Sequence, residues 1–254
     1  MIFSEKHQLI RKLVQDFCAR ELTSEILDQV EESGVFPQEI LDKMAPADTD
    51  AVFVLGDVID VGDDSIEILK DMMYRANIYP VLGEHEYMAK KILPLIADFN
   101  STDEALKNLD ADNKALLEKW LTMKSEKTLN DFFALTDEDK ESIIDYLSEF
   151  QAFEEVESGG KTFVLVHAGI NNFDADKELE DYSEEDFVFY PADYSKVYFK
   201  NKYLITGHTP TVAINQKFMG KVYSKNGHIA LDCGAAYGGK LAAICLDALK
   251  LYYC

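Results

Sequence analysis

Basic residues are scarce in this chain. The 254 residues include 25 lysines and arginines against 47 aspartates and glutamates, which gives a formal net charge of −22. An extended nucleic-acid interface needs a basic face, so no nucleic-acid partner is expected. Anionic membrane surfaces would repel the chain for the same reason, and so would phosphorylated substrates unless a metal ion or a local basic group reverses the field.

Long hydrophobic runs are also missing. No apolar stretch approaches the roughly 18 residues of a spanning helix, so no membrane partner is expected. Residues 1–7 have no basic start followed by an apolar core, which predicts no signal peptide. The cysteines lack the paired spacing of a zinc or redox motif, and we expect free thiols in a reducing cytoplasm. They are Cys18, Cys233, Cys245 and Cys254.

The apolar patterns predict alternating strands and helices. Strands are predicted over 51–55, 78–82, 162–166, 203–206 and 241–246, with a hairpin of 221–224 and 228–231 around Asn226-Gly227. Helices are predicted over 7–30, 35–44 and 65–75, and a helical insert over 87–150. The strand at 241–246 is expected to pair with the hairpin. This order predicts one α/β domain over 1–254 with mixed sheets and functional loops at the carboxyl ends of the strands.

Acidic and histidine side chains follow four of the predicted buried strands. They are Asp57, Asp60, Glu84, His85, His167 and His208. Three of the five histidines of the chain are among them. Because such side chains converge when strand ends meet at one edge of a sheet, we expect a shared site. Carboxylate and imidazole ligands suit manganese, iron or zinc.

Five segments occur in an order that is specific in combination. They are Gly56–Gly62 (G-D-V-I-D-V-G), Gly83–Glu86 (G-E-H-E), His167–Ile170 (H-A-G-I), Gly207–Thr211 (G-H-T-P-T) and Asp232–Gly239 (D-C-G-A-A-Y-G-G). On these segments the chain resembles the phosphoprotein-phosphatase branch of the calcineurin-like metallophosphoesterases, especially bacterial serine/threonine phosphatases and diadenosine-tetraphosphate hydrolases. The resemblance implies the four-layered α/β sandwich of that family, here with an atypical helical N-terminus over 1–33.

The resemblance also implies a role for each matched position. Asp57 would bridge two metal ions, while His167, His208 and the residue at position 84 would bind the second ion. His85 would protonate the leaving oxygen, and Asp60 would hold the His85 ring.

Several positions depart from the family pattern. The first-metal motif would fall near residues 30–34, where Glu31 and Ser33 replace the aspartate and histidine. One family arginine is Val61 here, and no arginine lies at 189–191, where a second is expected. Glu84 replaces the asparagine of the family motif. The remaining ligand set of Asp57, Glu84, His167 and His208 implies one divalent ion rather than two.

Two functions are compatible with this pattern. The first is a phosphoesterase that hydrolyses a phosphomonoester, on a phosphorylated protein or a small molecule, with one metal and weakened catalysis. The second is a pseudophosphatase that acts as a binding or regulatory module. The acidic run 180–186 is predicted to be a solvated loop, although it could also face a protein partner. Trp120 is predicted as core of the helical insert, and His7 and His228 are predicted at the surface or in the hairpin.

Overall fold

The computed structural model of the chain describes residues 50–254. Several predictions concern residues outside this range: the helices at 7–30 and 35–44, the helical N-terminus over 1–33, and His7, Cys18, Glu31 and Ser33. The prediction of a single domain over 1–254 stays a prediction. Within residues 50–254, no helix has the length and apolarity that crossing a bilayer requires.

The described residues form a mixed α/β fold, which confirms the predicted class. The strands are β1 (Val52–Val54), β2 (Ile78–Pro80), β3 (Phe153–Ser158), β4 (Lys161–Val166), β5 (Lys202–Thr206), β6 (Tyr223–Lys225), β7 (His228–Ala230), β8 (Ala242–Cys245) and β9 (Lys250–Tyr253). The α-helices are α1 (Ser65–Met73), α2 (Glu84–Ile96), α3 (Thr102–Asn108), α4 (Ala111–Leu121), α5 (Glu126–Phe133), α6 (Asp137–Ser148), α7 (Glu184–Val188) and α8 (Thr211–Ile214).

The largest sheet in the described part is mixed, with the strand order β3–β4–β5–β7–β6. The central pairs β4–β5 and β5–β7 are parallel, and the edge strands β3 and β6 pair antiparallel. Phe163 and Leu165 of β4 pack into one apolar cluster, whereas Val164 and Val166 pack into another. Both faces of β4 are therefore covered, which explains why its sequence is continuously apolar rather than alternating.

The parallel pair β1–β2 forms a separate small sheet. The helical insert follows it and comprises α2 to α6, as predicted for 87–150. Trp120 and Phe132 are fully buried in the largest apolar cluster together with Leu82, so the insert packs onto the end of this sheet. The prediction that Trp120 belongs to the core is confirmed.

Two local predictions were wrong. β8 pairs antiparallel with β9 in its own two-stranded sheet and not with the β6–β7 hairpin. The reason is local, because β9 begins five residues after β8 ends and offers the nearer partner.

The run 180–186 is partly helical rather than a solvated loop, since α7 begins within it and Glu184 pairs with Lys90 at 2.7 Å. Strand β3 was not predicted, because three glutamates interrupt its apolar residues.

His228 is in the hairpin, as one of the predicted alternatives states, but it is buried rather than at the surface. Its ring stacks on Tyr194 with a centroid distance of 4.7 Å, and its Nε2 atom lies 3.0 Å from the Thr206 hydroxyl. Nδ1 has no hydrogen-bond partner among the described residues. Burial among aromatic rings disfavours the charged ring and lowers the pKa of His228 to about 4.

This buried neutral histidine predicts a loss of stability in acid. Because the folded-state pKa of His228 lies below its ordinary value of 6.5, the unfolded chain takes up the proton first as the pH falls. We expect His228 to remove about 3 kcal/mol of unfolding free energy between pH ~6.5 and pH ~4. Denaturation curves of the wild type and of His228→Phe across this range check the prediction. An equal pH dependence in both proteins would contradict it.

Candidate metal and catalytic site

Two glycines bring the loops after β1 and β2 into direct contact. A Cβ atom on Gly56 would lie 2.5 Å from the Gly83 Cα, and one on Gly83 would lie 2.4 Å from the backbone nitrogen of Asp57. Gly56 also has a positive φ of 77°, which favours glycine. Only glycine at both positions allows this approach, which places Asp57 beside the first turn of α2.

The parallel strands β4 and β5 deliver the two histidines. His167 follows β4 directly, and His208 lies two residues beyond β5. The backbone nitrogen of Gly207 donates a hydrogen bond of 2.8 Å to the carbonyl of His167, which ties the two strand exits together. As a result, His167 Nε2 lies 3.2 Å from His208 Nδ1.

A hydrogen bond to the backbone fixes the orientation of the His167 ring. Its Nδ1 lies 2.6 Å from the carbonyl oxygen of Leu55, which can only accept, so Nδ1 carries the proton and donates. Nε2 is left facing the site, 3.2 Å from Asp57 Oδ2. A histidine held by a backbone carbonyl through one nitrogen and open at the other is the arrangement that protein metal ligands commonly have.

Three of the predicted site residues have backbones in the left-handed region. Asp57, Asp60 and His208 have φ values of 56°, 73° and 59°. Such conformations cost energy for residues other than glycine and persist where the surrounding structure enforces them, often at functional sites.

The four predicted metal ligands lie together around Asp57. Donor atoms of Asp57, His167 and His208 all lie within 4.8 Å of one another, and so do donor atoms of Asp57, Glu84 and His85. Glu84 Oε1 also lies 3.6 Å from His208 Nδ1. This set of carboxylate oxygens and imidazole nitrogens fits a divalent transition-metal ion.

The charges in the set are strongly coupled. Burial favours the neutral His167 ring, but the adjacent Asp57 carboxylate outweighs it and raises the pKa of His167 to about 9. Burial, aided by the charge on His167, lowers the pKa of His208 to about 4. Burial and the charge of Asp57 raise the pKa of Glu84 above its ordinary value. The positive charge of the protonated His167 ring partly neutralises the carboxylates of this set. A bound cation between these groups would neutralise them instead.

His85 and Asp60 form the predicted pair. His85 Nδ1 lies 2.7 Å from Asp60 Oδ2, and the same oxygen accepts a 2.7 Å hydrogen bond from the indole nitrogen of Trp120. Burial favours the neutral His85 ring, but the hydrogen bond to Asp60 and the nearby carboxylates raise the pKa of His85 above its ordinary value. Sequence reasoning placed Trp120 in the core but missed this contact, for which a separation of 60 residues gives no signal.

Glu86 is a second residue that sequence reasoning missed. Its side chain is fully buried and accepts hydrogen bonds from four backbone nitrogens, at 2.7 to 3.2 Å. These belong to Asp57, Val58, Ile59 and Gly83. Glu86 therefore holds the Asp57 loop against the start of α2. Its place in the G-E-H-E segment was the available signal.

The arginines expected at two positions are not replaced by arginines elsewhere in the described part. Position 61 is a half-exposed valine, and 189–191 is Phe-Tyr-Pro. Arg75 is the only arginine among residues 50–254, and it forms a two-pronged ion pair with Asp71 four residues earlier.

Carboxylates and imidazoles thus meet at the ends of parallel strands of an α/β fold, with a histidine–aspartate pair beside them, and this combination fits a divalent-metal site. A sequence model of the family named calcineurin-like phosphoesterase matches residues 36–212. The chain belongs to this family, and its fold is of the metallophosphoesterase type, as predicted. The matched range includes all six predicted site residues, whereas Glu31 and Ser33 lie before it. Divalent metals are the cofactors of this family.

Solved and curated proteins extend the comparison unevenly. The crystal structure of a "putative diadenosine tetraphosphatase" has a similar fold, with a TM-score of 0.54 and 15% identity over 85% of this chain and 86% of that one. Subunit CarC of the caffeyl-CoA reductase–Etf complex of Acetobacterium woodii is 71% identical over 45 residues, and the 3-(aryl)acrylate reductase of Clostridium sporogenes is 49% identical over 45. These stretches are 18% of this chain and 12% of each reductase.

Proposed function

We propose that the protein is a metal-dependent phosphoesterase that hydrolyses a phosphomonoester with one bound metal ion. The observation that carries this proposal is the position of the His85–Asp60 pair beside the Asp57, His167 and His208 donor atoms. A metal site alone could be structural. A histidine held by a buried carboxylate next to that site supplies the acid that phosphoester cleavage needs.

Asp57, His167 and His208 would hold the ion, with Glu84 as the fourth ligand. A divalent ion in this place, manganese, iron or zinc, supplies charge compensation for a phosphoryl group and a water of lowered pKa. The bond from His167 to Leu55 keeps Nε2 as the ligand atom. Glu86 keeps the Asp57 carboxylate in place through the backbone of its loop.

His85 would hold and release the proton. Because a carboxylate can only accept, the Asp60 contact fixes the His85 proton on Nδ1 and leaves Nε2 to protonate the leaving oxygen. The Trp120 indole nitrogen donates a second hydrogen bond to the same Asp60 oxygen, which helps to hold the carboxylate in one orientation. Asp60 and Trp120 together form a fixed support for the acid, His85.

Asp57→Asn is the variant that tests the metal requirement. Asp57 belongs to both groups of donor atoms, so its loss is expected to lower manganese affinity and phenyl phosphate turnover by roughly 10²-fold or more. The exposed Asp145→Asn is the matched control and should behave as wild type. Calorimetric titration with Mn²⁺ and turnover of the same samples provide the measurement. An Asp57→Asn protein that turns over phenyl phosphate at the wild-type rate would refute the proposed site.

A pseudophosphatase is the second candidate, favoured by a different observation. Glu84 adds a carboxylate where a phosphate would approach, and the described residues provide no arginine there. In this case the metal or the acidic surface around 180–186 would serve binding of a partner. Metal binding by the wild type without turnover of any aryl phosphate, with each divalent ion tested, would favour this function.

A further inference from the structure

A cleft lies between α2 and α4 of the helical insert on one side and α7 with the two residues that follow it on the other. Its volume is about 540 Å³, within the size range of small-molecule sites. It is lined by Tyr87, Met88, Lys91, Leu116, Lys119, Glu185, Phe189 and Tyr190. Apolar rings and charged groups contribute together, which suits a ligand that is both planar and charged.

One face of α2 connects a proposed metal ligand with the cleft. Glu84, Met88 and Lys91 are spaced at i, i+4 and i+7 and therefore lie on the same side of this helix. Lys119, on α4, directly precedes Trp120, whose indole donates to Asp60 of the His85–Asp60 pair. Lys119 lines the cleft, and the next residue of its helix contacts the predicted site.

Both lysines of the cleft are available to an anion. Lys119 Nζ lies 4.6 Å from the centroid of the Phe189 ring, and Lys91 Nζ lies 5.3 Å from that of Tyr87. Neither forms an ion pair within residues 50–254, whereas the neighbouring Lys90 pairs with Glu184 at 2.7 Å. In a chain with a net charge of −22, two such lysines in one cleft make the electrostatic potential locally positive.

The carboxylate of the cleft does not cancel this pair of charges. Glu185 accepts a 2.6 Å hydrogen bond from the Tyr87 hydroxyl, which fixes its position at the wall. Two lysines against one glutamate leave the cleft with positive charge. The half-exposed ring of Tyr190 and the ring of Phe189 provide flat apolar surface next to it.

We propose that this cleft binds the aromatic leaving group of a small aryl phosphate, with Lys119 contacting its phosphate in place of the missing arginines. The proposal rests on the proposed function, because it assigns the substrate class of the same site. The planar group would lie against Phe189 and Tyr190, and the phosphate would extend past Lys119 towards Asp57. A lysine is a point charge without the planar fork of arginine, so it attracts the phosphate without fixing its rotation.

Binding of phenylphosphonate, which cannot be hydrolysed at its P–C bond, tests this proposal separately from turnover. The variants are Lys119→Met and, as matched control, Lys114→Met, since Lys114 is exposed on the same helix but outside the cleft. Affinities are measured by calorimetry with and without Mn²⁺, and by the emission of Trp120, the only tryptophan of the chain. Methylphosphonate and inorganic phosphate are the comparison ligands that lack the ring.

We expect Lys119→Met to weaken phenylphosphonate binding on the order of tenfold, with Lys114→Met within twofold of wild type. Phenylphosphonate should also bind more tightly than methylphosphonate. Equal affinities for wild type and Lys119→Met, equal affinities for the two phosphonates, or no binding to the wild type would each overturn the proposal. Turnover that persists in Lys119→Met with unchanged KM would overturn it while leaving the proposed function intact. Phenylphosphonate binding that depends on Lys119, without any turnover, would support this proposal and contradict the proposed function.

Discussion

Replacing His85 with alanine is expected to lower kcat for phenyl phosphate by roughly 10²- to 10⁴-fold, the usual contribution of a general acid. Bound metal should stay close to the wild-type level, because Asp57, His167 and His208 form a ligand group that does not include His85. Steady-state kinetics and elemental analysis of the same preparation measure both quantities.

The leaving group distinguishes loss of the acid from general damage to the site. A 4-nitrophenolate ion leaves without protonation far more readily than a phenolate ion, so 4-nitrophenyl phosphate should lose much less rate in His85→Ala than phenyl phosphate does. Trp120→Phe removes the second hydrogen bond to Asp60 together with part of a buried side chain, and it should show a smaller rate loss of the same kind once the fraction of folded protein is matched to wild type. If both substrates lose rate equally, or if metal is lost with His85, the acid role is contradicted.

Glu86→Ala is expected to be the most destabilising single change at the site, by about 3–5 kcal/mol of unfolding free energy. The substitution leaves four backbone nitrogens without their acceptor in a buried place. It also releases the Asp57 loop from α2, so metal affinity should fall with stability. The exposed Glu141→Ala is the matched control and should stay within ~0.5 kcal/mol of wild type.

Urea denaturation followed by Trp120 emission measures this effect. Glu86→Gln separates charge from hydrogen bonding, because the amide keeps one acceptor oxygen and places a donor against the remaining backbone nitrogens. It should therefore be intermediate between wild type and Glu86→Ala. A Glu86→Ala protein within ~1 kcal/mol of wild type would show that the carboxylate does not hold the loop.

The sequence indicates the parts of this site that follow from strand exits. Asp57, His167 and His208 each lie a few residues beyond a short apolar run. The parallel pairing of β4 with β5 brings the two histidines to one edge, and the hydrogen bond between His167 and the Leu55 carbonyl links them to the loop that carries Asp57. The contacts that hold these residues in place cannot be predicted in this way. The contacts of Trp120 with Asp60 and of Tyr87 with Glu185 join residues 60 and 98 positions apart, and nothing in the local pattern of either segment indicates them.

The same distinction applies to the fold. The run 162–166 predicts a buried strand because it is apolar on both faces, and β4 is such a strand. The strand at 241–246 was predicted correctly but given the wrong partner, since periodicity specifies which residues alternate and not which strand lies alongside. The exposed face of β3 carries glutamates, which concealed an edge strand in an acidic chain.

The position of a bound ion is the most direct test of the proposed metal site. Crystals of the wild-type protein grown with Mn²⁺ would give an anomalous difference map at the manganese absorption edge. We expect a peak coordinated by Asp57, His167 Nε2 and His208 Nδ1, with Glu84 beside it and His85 still paired with Asp60. No peak at these three residues at saturating Mn²⁺, or a peak coordinated by His85 instead, would contradict it.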